Sequence, residues 1–389
     1  KINADTSDGL KFVSDTSGAI DFQSNGSTKM SMDASGNLTA VSFVGSGANL
    51  TGLPSSTRTN ATPLIINGDM AIAQRGTSQT SVGGGTTGNY YTIDRMQTGA
   101  GASPSARFTQ SQSTDVPTGQ GFASSLKMDC TTAQTGLSGS SANIRIVQPI
   151  EGQNLQMIKK GTSNAEIITL SFWVKSNKTG TYICELRDYD NTRTCSISYT
   201  ISSSSTWEKK VINFPADTTG AFDNDNAQSL DVAFFLLAGD NLTSGTLQTT
   251  WDAFTTANRA VGNANLADST SNDWYITGVQ LEVGSFDSNS IPPFQFEDVG
   301  TSLARCQRYY NDISSILLWG NLISTAYTYR RCSMAYPVEM RASPTVTVTS
   351  SALSFFAQSI STKWVGFGTN GSSSTSNAYV SAATFEAEL

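Results

Sequence analysis

The chain has 389 residues, of which 14% are charged and 38% hydrophobic; its formal net charge is −7 and it contains no histidine. The acidic balance argues against a nucleic-acid grip, which needs Lys and Arg to displace counterions from phosphate, and it disfavours an anionic membrane surface. Without histidine there is no Ser-His-Asp or Cys-His catalysis and no His-ligated metal, while carboxylate chemistry remains open to an enzyme.

The polar remainder is mostly Ser, Thr, Asn, Gly and Gln. These short side chains favour turns and strand faces over helices, so the expected fold class is all-β. No apolar run approaches the roughly 18 residues of a membrane span. The chain opens at Lys1 without Met and in mid-pattern, so its start is expected to be missing or processed.

Residues 1–58 show small apolar pairs at roughly ten-residue intervals: Leu10/Phe12, Ile20/Phe22, Met30/Met32, Leu38 and Val41/Phe43. Turn clusters such as Ser24-Asn25-Gly26 separate them. Each unit is a short strand with too little apolar surface to fold alone. Stacking along the chain, or winding of three identical chains about one axis, would supply the missing cover.

Residues 59–300 follow a short linker. Alternation and turn chemistry predict strands at 142–147, 167–175, 180–187, 192–201, 207–214, 230–237 and 274–283. Seven or more short strands at this spacing read as a β-sandwich. Ile168, Leu170, Phe172 and Val174 share one face and Trp173 takes the other. Tyr275, Val279, Leu281 and Val283 are expected on one face of the last strand. A turn at Asp188–Asn191, folded symmetrically, sets Cys184 opposite Cys195; both are read as reduced core residues, with a cross-strand disulfide as the alternative. The five cysteines contain no CxxC, which argues against zinc.

Residues 301–389 begin with a short helix at 302–310. Strands are predicted at 316–319, 323–329, 335–339, 345–349, 364–368 and 379–386. The stretch Gly368–Asn377 reads as a flexible loop at the distal end, suited to variable contacts.

Several motifs carry a resemblance. They are Asn67-Gly68-Asp69 with Gln74-Arg75-Gly76, Asp94-Arg95, Ser171–Lys175, Gly278–Gly284, and the run from Trp274 through Pro292-Pro293 to Tyr310. Asp33–Pro54 and Tyr336–Pro344 complete the set. In this order they resemble bacteriophage tail fibre proteins with a carbohydrate-binding-module-like jelly roll and a C-terminal receptor-binding tip. Met96 departs from that pattern, which usually has Trp there. The resemblance implies a trimeric β-rich shaft segment (1–58), a jelly-roll β-sandwich (59–300) and a β-rich tip (301–389). It implies a homotrimer on the virion tail, assembled in the bacterial cytoplasm. Its partners would be other tail proteins and a host cell-surface glycan, with no nucleic acid and no membrane insertion.

The candidate receptor-binding aromatics are Trp319, Tyr327, Tyr329, Trp364 and Tyr379 in the tip and Trp251 in the sandwich. Trp251 lies in a weakly hydrophobic segment and is expected to be exposed. No catalytic residue and no cofactor is expected. Asp223, Asp225 and Asp231 are the best oxygen-ligand set, a candidate for structural calcium. A polysaccharide hydrolase would draw its carboxylates from Glu151, Glu166, Glu185, Asp252 or Glu282, which the sequence does not pair. The third reading is a purely structural fibre that docks other virion proteins.

Overall fold

The computed structural model describes residues 18–40, 62–314, 321–324, 327–350, 355–369 and 380–389, with backbone alone for the strands between 314 and 332. Outside these residues lie the Leu10/Phe12 and Val41/Phe43 pairs, the predicted strand at 316–319, and nearly all of the distal loop. The chain divides into two compact units, residues 1–53 and 54–389.

In the first unit, strands β1 (Ile20–Ser24), β2 (Ser27–Met32) and β3 (Leu38–Ala40) form an antiparallel sheet in that order. Asn25 and Gly26 close the first hairpin with φ of 51° and 71°, the two positive angles of a type I′ turn. Asp33 caps the next turn by accepting from the Ser35 and Asn37 amides at 2.9 Å each. No described residue of this unit is buried, and Phe22, Met32 and Leu38 are exposed.

The second unit is built on a sandwich. Its strands are β4 (Ser78–Val82), β5 (Asn89–Tyr90), β6 (Gln97–Gly101), β7 (Arg107–Ser113), β8 (Ser125–Thr132), β9 (Asn143–Glu151) and β10 (Ile168–Ser176). There follow β11 (Gly180–Asp188), β12 (Arg193–Ile201), β13 (Glu208–Phe214), β14 (Gln228–Ala238), β15 (Asp252–Ala253) and β16 (Asp273–Val283). One sheet has six strands in the order β13-β10-β16-β8-β7-β4, the other seven in the order β15-β12-β11-β14-β9-β6-β5. The strands of both sheets pair antiparallel. One continuous core lies between them, with Phe172, Phe214, Phe108, Phe234 and Trp274 among its large members.

Two register expectations change. Tyr275 does not share a face with Val279, Leu281 and Val283. The pairing of β10 with β16 slips between Ser171 and Trp173, and Gly278 sits at the slip with φ 62°. The extra residue reverses the alternation. Trp274 and Ile276 therefore enter the core before it, Val279, Leu281 and Val283 after it, and Tyr275 points outward. In the β11–β12 hairpin Cys184 pairs with Ile197 and Cys195 with Leu186. The turn centres one residue later than symmetry about Asp188–Asn191 suggests. Asp188 accepts from the Asn191 amide at 3.0 Å, and Thr192 takes a left-handed φ of 52°. Both cysteines are buried and free, as are Cys130 and Cys306.

Helix α1 (Val299–Gln307) follows, N-capped by Asp298, which accepts from the Thr301 amide at 3.0 Å. Strands β17 (Tyr310–Ser314), β18 (Asn321–Ser324), β19 (Tyr327–Ala335), β20 (Thr345–Ser350), β21 (Phe355–Ile360), β22 (Trp364–Thr369) and β23 (Val380–Glu386) make two small sheets, β17-β23-β20 and β18-β19-β22-β21. The strand predicted at 335–339 does not form: β19 ends at Ala335, and Pro337 cannot donate to a ladder.

These sheets pack on the sandwich through a buried ionic cluster. Glu388 pairs with Arg95 and, at 3.1 Å, with Arg75; Arg308 pairs with Glu151 at 2.9 Å. Arg95 lies over the Tyr309 ring at 3.6 Å and Arg75 over Tyr310 at 3.5 Å. The Gln74-Arg75 and Asp94-Arg95 motifs thus anchor the C-terminal strand. Met96, where the resembling proteins usually have Trp, is a buried core residue.

Candidate functional site

The outer face of the six-stranded sheet carries a pocket walled by aromatic side chains. On β10 the core takes Phe172 and Val174, so Ser171, Trp173 and Lys175 project outward. On β13 the core takes Ile212 and Phe214, so Lys209 and Asn213 project outward. Trp173 stands in register between Lys209 of β13 and Thr277 of β16.

After Gly284 the chain turns back across this face. The Phe286 amide donates to Thr169 Oγ1 at 3.1 Å, and Asn213 Nδ2 donates to the Phe286 carbonyl at 2.9 Å. Gln280 Nε2 donates to the Pro292 carbonyl at 2.9 Å. Pro292 and Pro293 bring no backbone donors, so the segment lies over side chains without needing a ladder partner. Phe294 and Phe296 then pack on Phe122, with ring centroids 5.1 and 5.2 Å away and 4.9 Å from one another. Gly278 is required beneath them. A Cβ there would sit 2.5 Å from the Phe122 ring.

The result is a pocket of about 200 Å³. Trp173, Phe122, Phe294 and Phe296 supply its apolar walls, and Gln120, Lys209 and Gln280 its polar groups. Phe296 is 49% exposed. The Gln280 side chain is 6% exposed and its Oε1 has no hydrogen-bond partner. Desolvation alone lowers the Lys209 amine from its ordinary value. Aromatic faces with a few convergent polar groups match the general plan of a small-ligand site.

A neighbouring aromatic group on the same face is already occupied. Trp207 Nε1 donates to Asp115 Oδ1 at 3.0 Å, Lys175 pairs with Asp115, and the Lys175 amine lies 4.2 Å from the Tyr275 ring centre. Desolvation raises the Asp115 carboxyl, but hydrogen bonds from Lys175 and Trp207 outweigh it and hold the pKa below the usual value.

The candidate aromatics are scattered. Trp251 is buried, contrary to expectation: it is 8% exposed, packs in the sandwich core and donates from Nε1 to the Pro215 carbonyl at 2.8 Å. Its segment is weakly hydrophobic because it crosses the sheet edge through polar bonds. Trp364 is 43% exposed on β22. Tyr327 and Tyr329 lie on β19, whose side chains there are outside the described residues, as are Trp319 and Tyr379 entirely.

Asp223, Asp225 and Asp231 do not form one ligand set. Asp231 is buried on β14, accepting from Tyr189 Oη at 2.8 Å and from Gln228 at 2.6 Å, while Asp225 accepts from the Ala227 amide in an exposed loop. Among the described residues no group of three or more His, Cys, Asp or Glu is placed to hold a metal. Of the carboxylates weighed for hydrolysis, Glu151 is held by Arg308 and Tyr309, Glu185 is buried against Arg259 at 2.6 Å, and Glu166 pairs with Lys159 at 2.7 Å. Glu282 is buried and Asp252 exposed.

Trp173 was legible as the outward residue of its strand. Phe294 and Phe296 carried a signal, two aromatics straddling a Gln just after Pro-Pro. Gln120 and Phe122 carried none, since they meet the pocket only through tertiary packing.

No protein-family model matches the sequence, and neither does any curated protein. Among solved structures, the enzymatically active domain of tailspike protein 4 from bacteriophage CBA120 matches at 14% identity and TM-score 0.29, over 57% of this chain and 21% of that one. The chain thus spans about a fifth of that domain. A Bacteroides thetaiotaomicron protein described as a candidate sugar binder matches at 11% identity and TM-score 0.29, over 57% of this chain and 100% of that one. The family 11 carbohydrate-binding module from Clostridium thermocellum matches at 12% identity and TM-score 0.26, over 52% of this chain and 99% of that one. The chain's own class is an all-β, antiparallel sandwich with added small sheets.

Proposed function

We propose that this chain is an adhesin of the phage tail fibre type, which attaches to a cell-surface glycan through the sandwich. The observation that carries this reading is the Trp173 pocket, where aromatic faces meet an unpaired, buried amide oxygen on Gln280. Sugar rings offer C–H faces to aromatic side chains and hydroxyls to amides, so the two chemistries fit together. A pocket of about 200 Å³ lies below the roughly 300–1,000 Å³ of drug-sized sites, which suits a single sugar ring. Affinity at one such site would be weak, and several copies on one fibre would raise it through effective concentration.

The first unit supports more than one copy. Its three strands bury no described residue and expose Phe22, Met32 and Leu38, and so small a sheet has little stability of its own. A homotrimer would cover these side chains. The test compares Trp173→Ala with Trp364→Ala for retention on a bacterial surface-glycan array. Trp173→Ala should lose binding at least tenfold while Trp364→Ala keeps it. The reverse pattern would move the receptor site to the C-terminal sheets.

A further inference from the structure

We propose that the Trp173 pocket selects an anionic sugar, one whose ring carries a carboxylate or phosphate, through the ammonium of Lys209. This rests on the glycan-binding reading and assigns its substrate class. Lys209 is the single charged residue lining the pocket. Its backbone pairs with that of Trp173, so the two side chains stand side by side on the outer face. The other lysines of that face have partners: Lys175 pairs with Asp115, and Lys127 with Asp129 at 3.3 Å. Lys209 is exposed, and its side chain makes no ion pair or hydrogen bond among the described residues. Desolvation lowers its amine from the ordinary value.

The remaining polarity fits the rest of such a sugar. Gln280 lines the pocket and carries a buried acceptor, Oε1, without a hydrogen-bond partner, while Trp173 and the phenylalanines offer ring faces. A sugar stacked there would bring a ring substituent within reach of a flexible ammonium, and lysine acts on carboxylate or phosphate as a point charge. The net charge of −7 gives no long-range attraction to a polyanion, so the selection is local to this pocket.

The test uses the full chain and a panel of hexoses in the gluco, galacto and manno series. Each is presented as the neutral sugar, the uronic acid and the 6-phosphate on a glycopolymer surface. Wild type should prefer the anionic form of one series roughly three- to tenfold, the range of a partly exposed charge pair. Lys209→Met should erase that preference while keeping the neutral sugar, and Lys209→Arg should restore it. Trp173→Ala should lose both forms. Preference for the uronic acid or for the phosphate identifies the source of the charge. Equal binding of neutral and anionic forms, unchanged in Lys209→Met, overturns the anionic proposal and leaves the glycan reading intact. No binding of any panel member overturns both.

Discussion

Single residues in this molecule are constrained in ways that can be measured. Gly278 combines a φ of 62° with ring contact from Phe122, so Gly278→Ala adds left-handed strain and a clash. A loss of about 2–4 kcal/mol is expected from the two effects in chemical denaturation, together with weaker glycan retention. Trp173 is only partly buried, so Trp173→Ala should change stability by less than about 1 kcal/mol while removing binding. Asp94 gives a pH signature. Desolvation pushes its carboxyl up to about 6, against hydrogen bonds from Gln74 and the nearby Arg75 charge. The folded state then holds a proton that the unfolded chain, with a pKa of about 3.9, has already released. Its contribution to stability is therefore full below about pH 4 and falls as pH rises to about 6, by on the order of 2–3 kcal/mol. Asp94→Asn should flatten the stability profile across that window; an unchanged slope would show that Asp94 is not the group responsible.

At the scale of elements, the last sandwich strand and its return segment form one device. The slip at Gly278 points Tyr275 outward and still returns Val279, Leu281 and Val283 to the core. The Pro-Pro segment then roofs the sheet with Phe294 and Phe296. Alternation showed where seven strands of the sandwich lie, since their apolar faces are strong. It did not show β4 to β8, whose residues are mostly Ser, Thr, Gln and Gly and take strand form from their neighbours. Nor could it show the one-residue shift in the Cys184 hairpin, which Asp188 imposes through its own side chain. The pocket was half legible for the same reason. Trp173 belongs to a clear strand, while Phe122 and Gln120 arrive from a loop. The C-terminal strand adds Ala383 and Phe385 to the apolar core of the small sheets, and Glu388 just beyond it joins the buried ionic cluster. Glu388→Ala would leave Arg95 buried without its partner, so a loss of roughly 3–5 kcal/mol is expected by thermal unfolding. An unchanged melting temperature would show that the ionic cluster does not hold these sheets.

For the whole molecule, the two compact units have unequal claims to independent stability. The larger one has a continuous core, and the described part of the smaller one has no buried residue. If three chains share the burden, light scattering should give about three times the 41.2 kDa chain mass, and removing residues 1–53 should lower it. A stable monomer of the intact chain would contradict the trimer. Attachment is the central claim. It is tested most directly by retention of the full chain on bacterial cells before and after periodate stripping of their surface glycan, with Trp173→Ala alongside. Retention should fall at least tenfold on stripped cells, and equally for Trp173→Ala on intact ones. Equal retention in all cases would contradict glycan recognition by the sandwich.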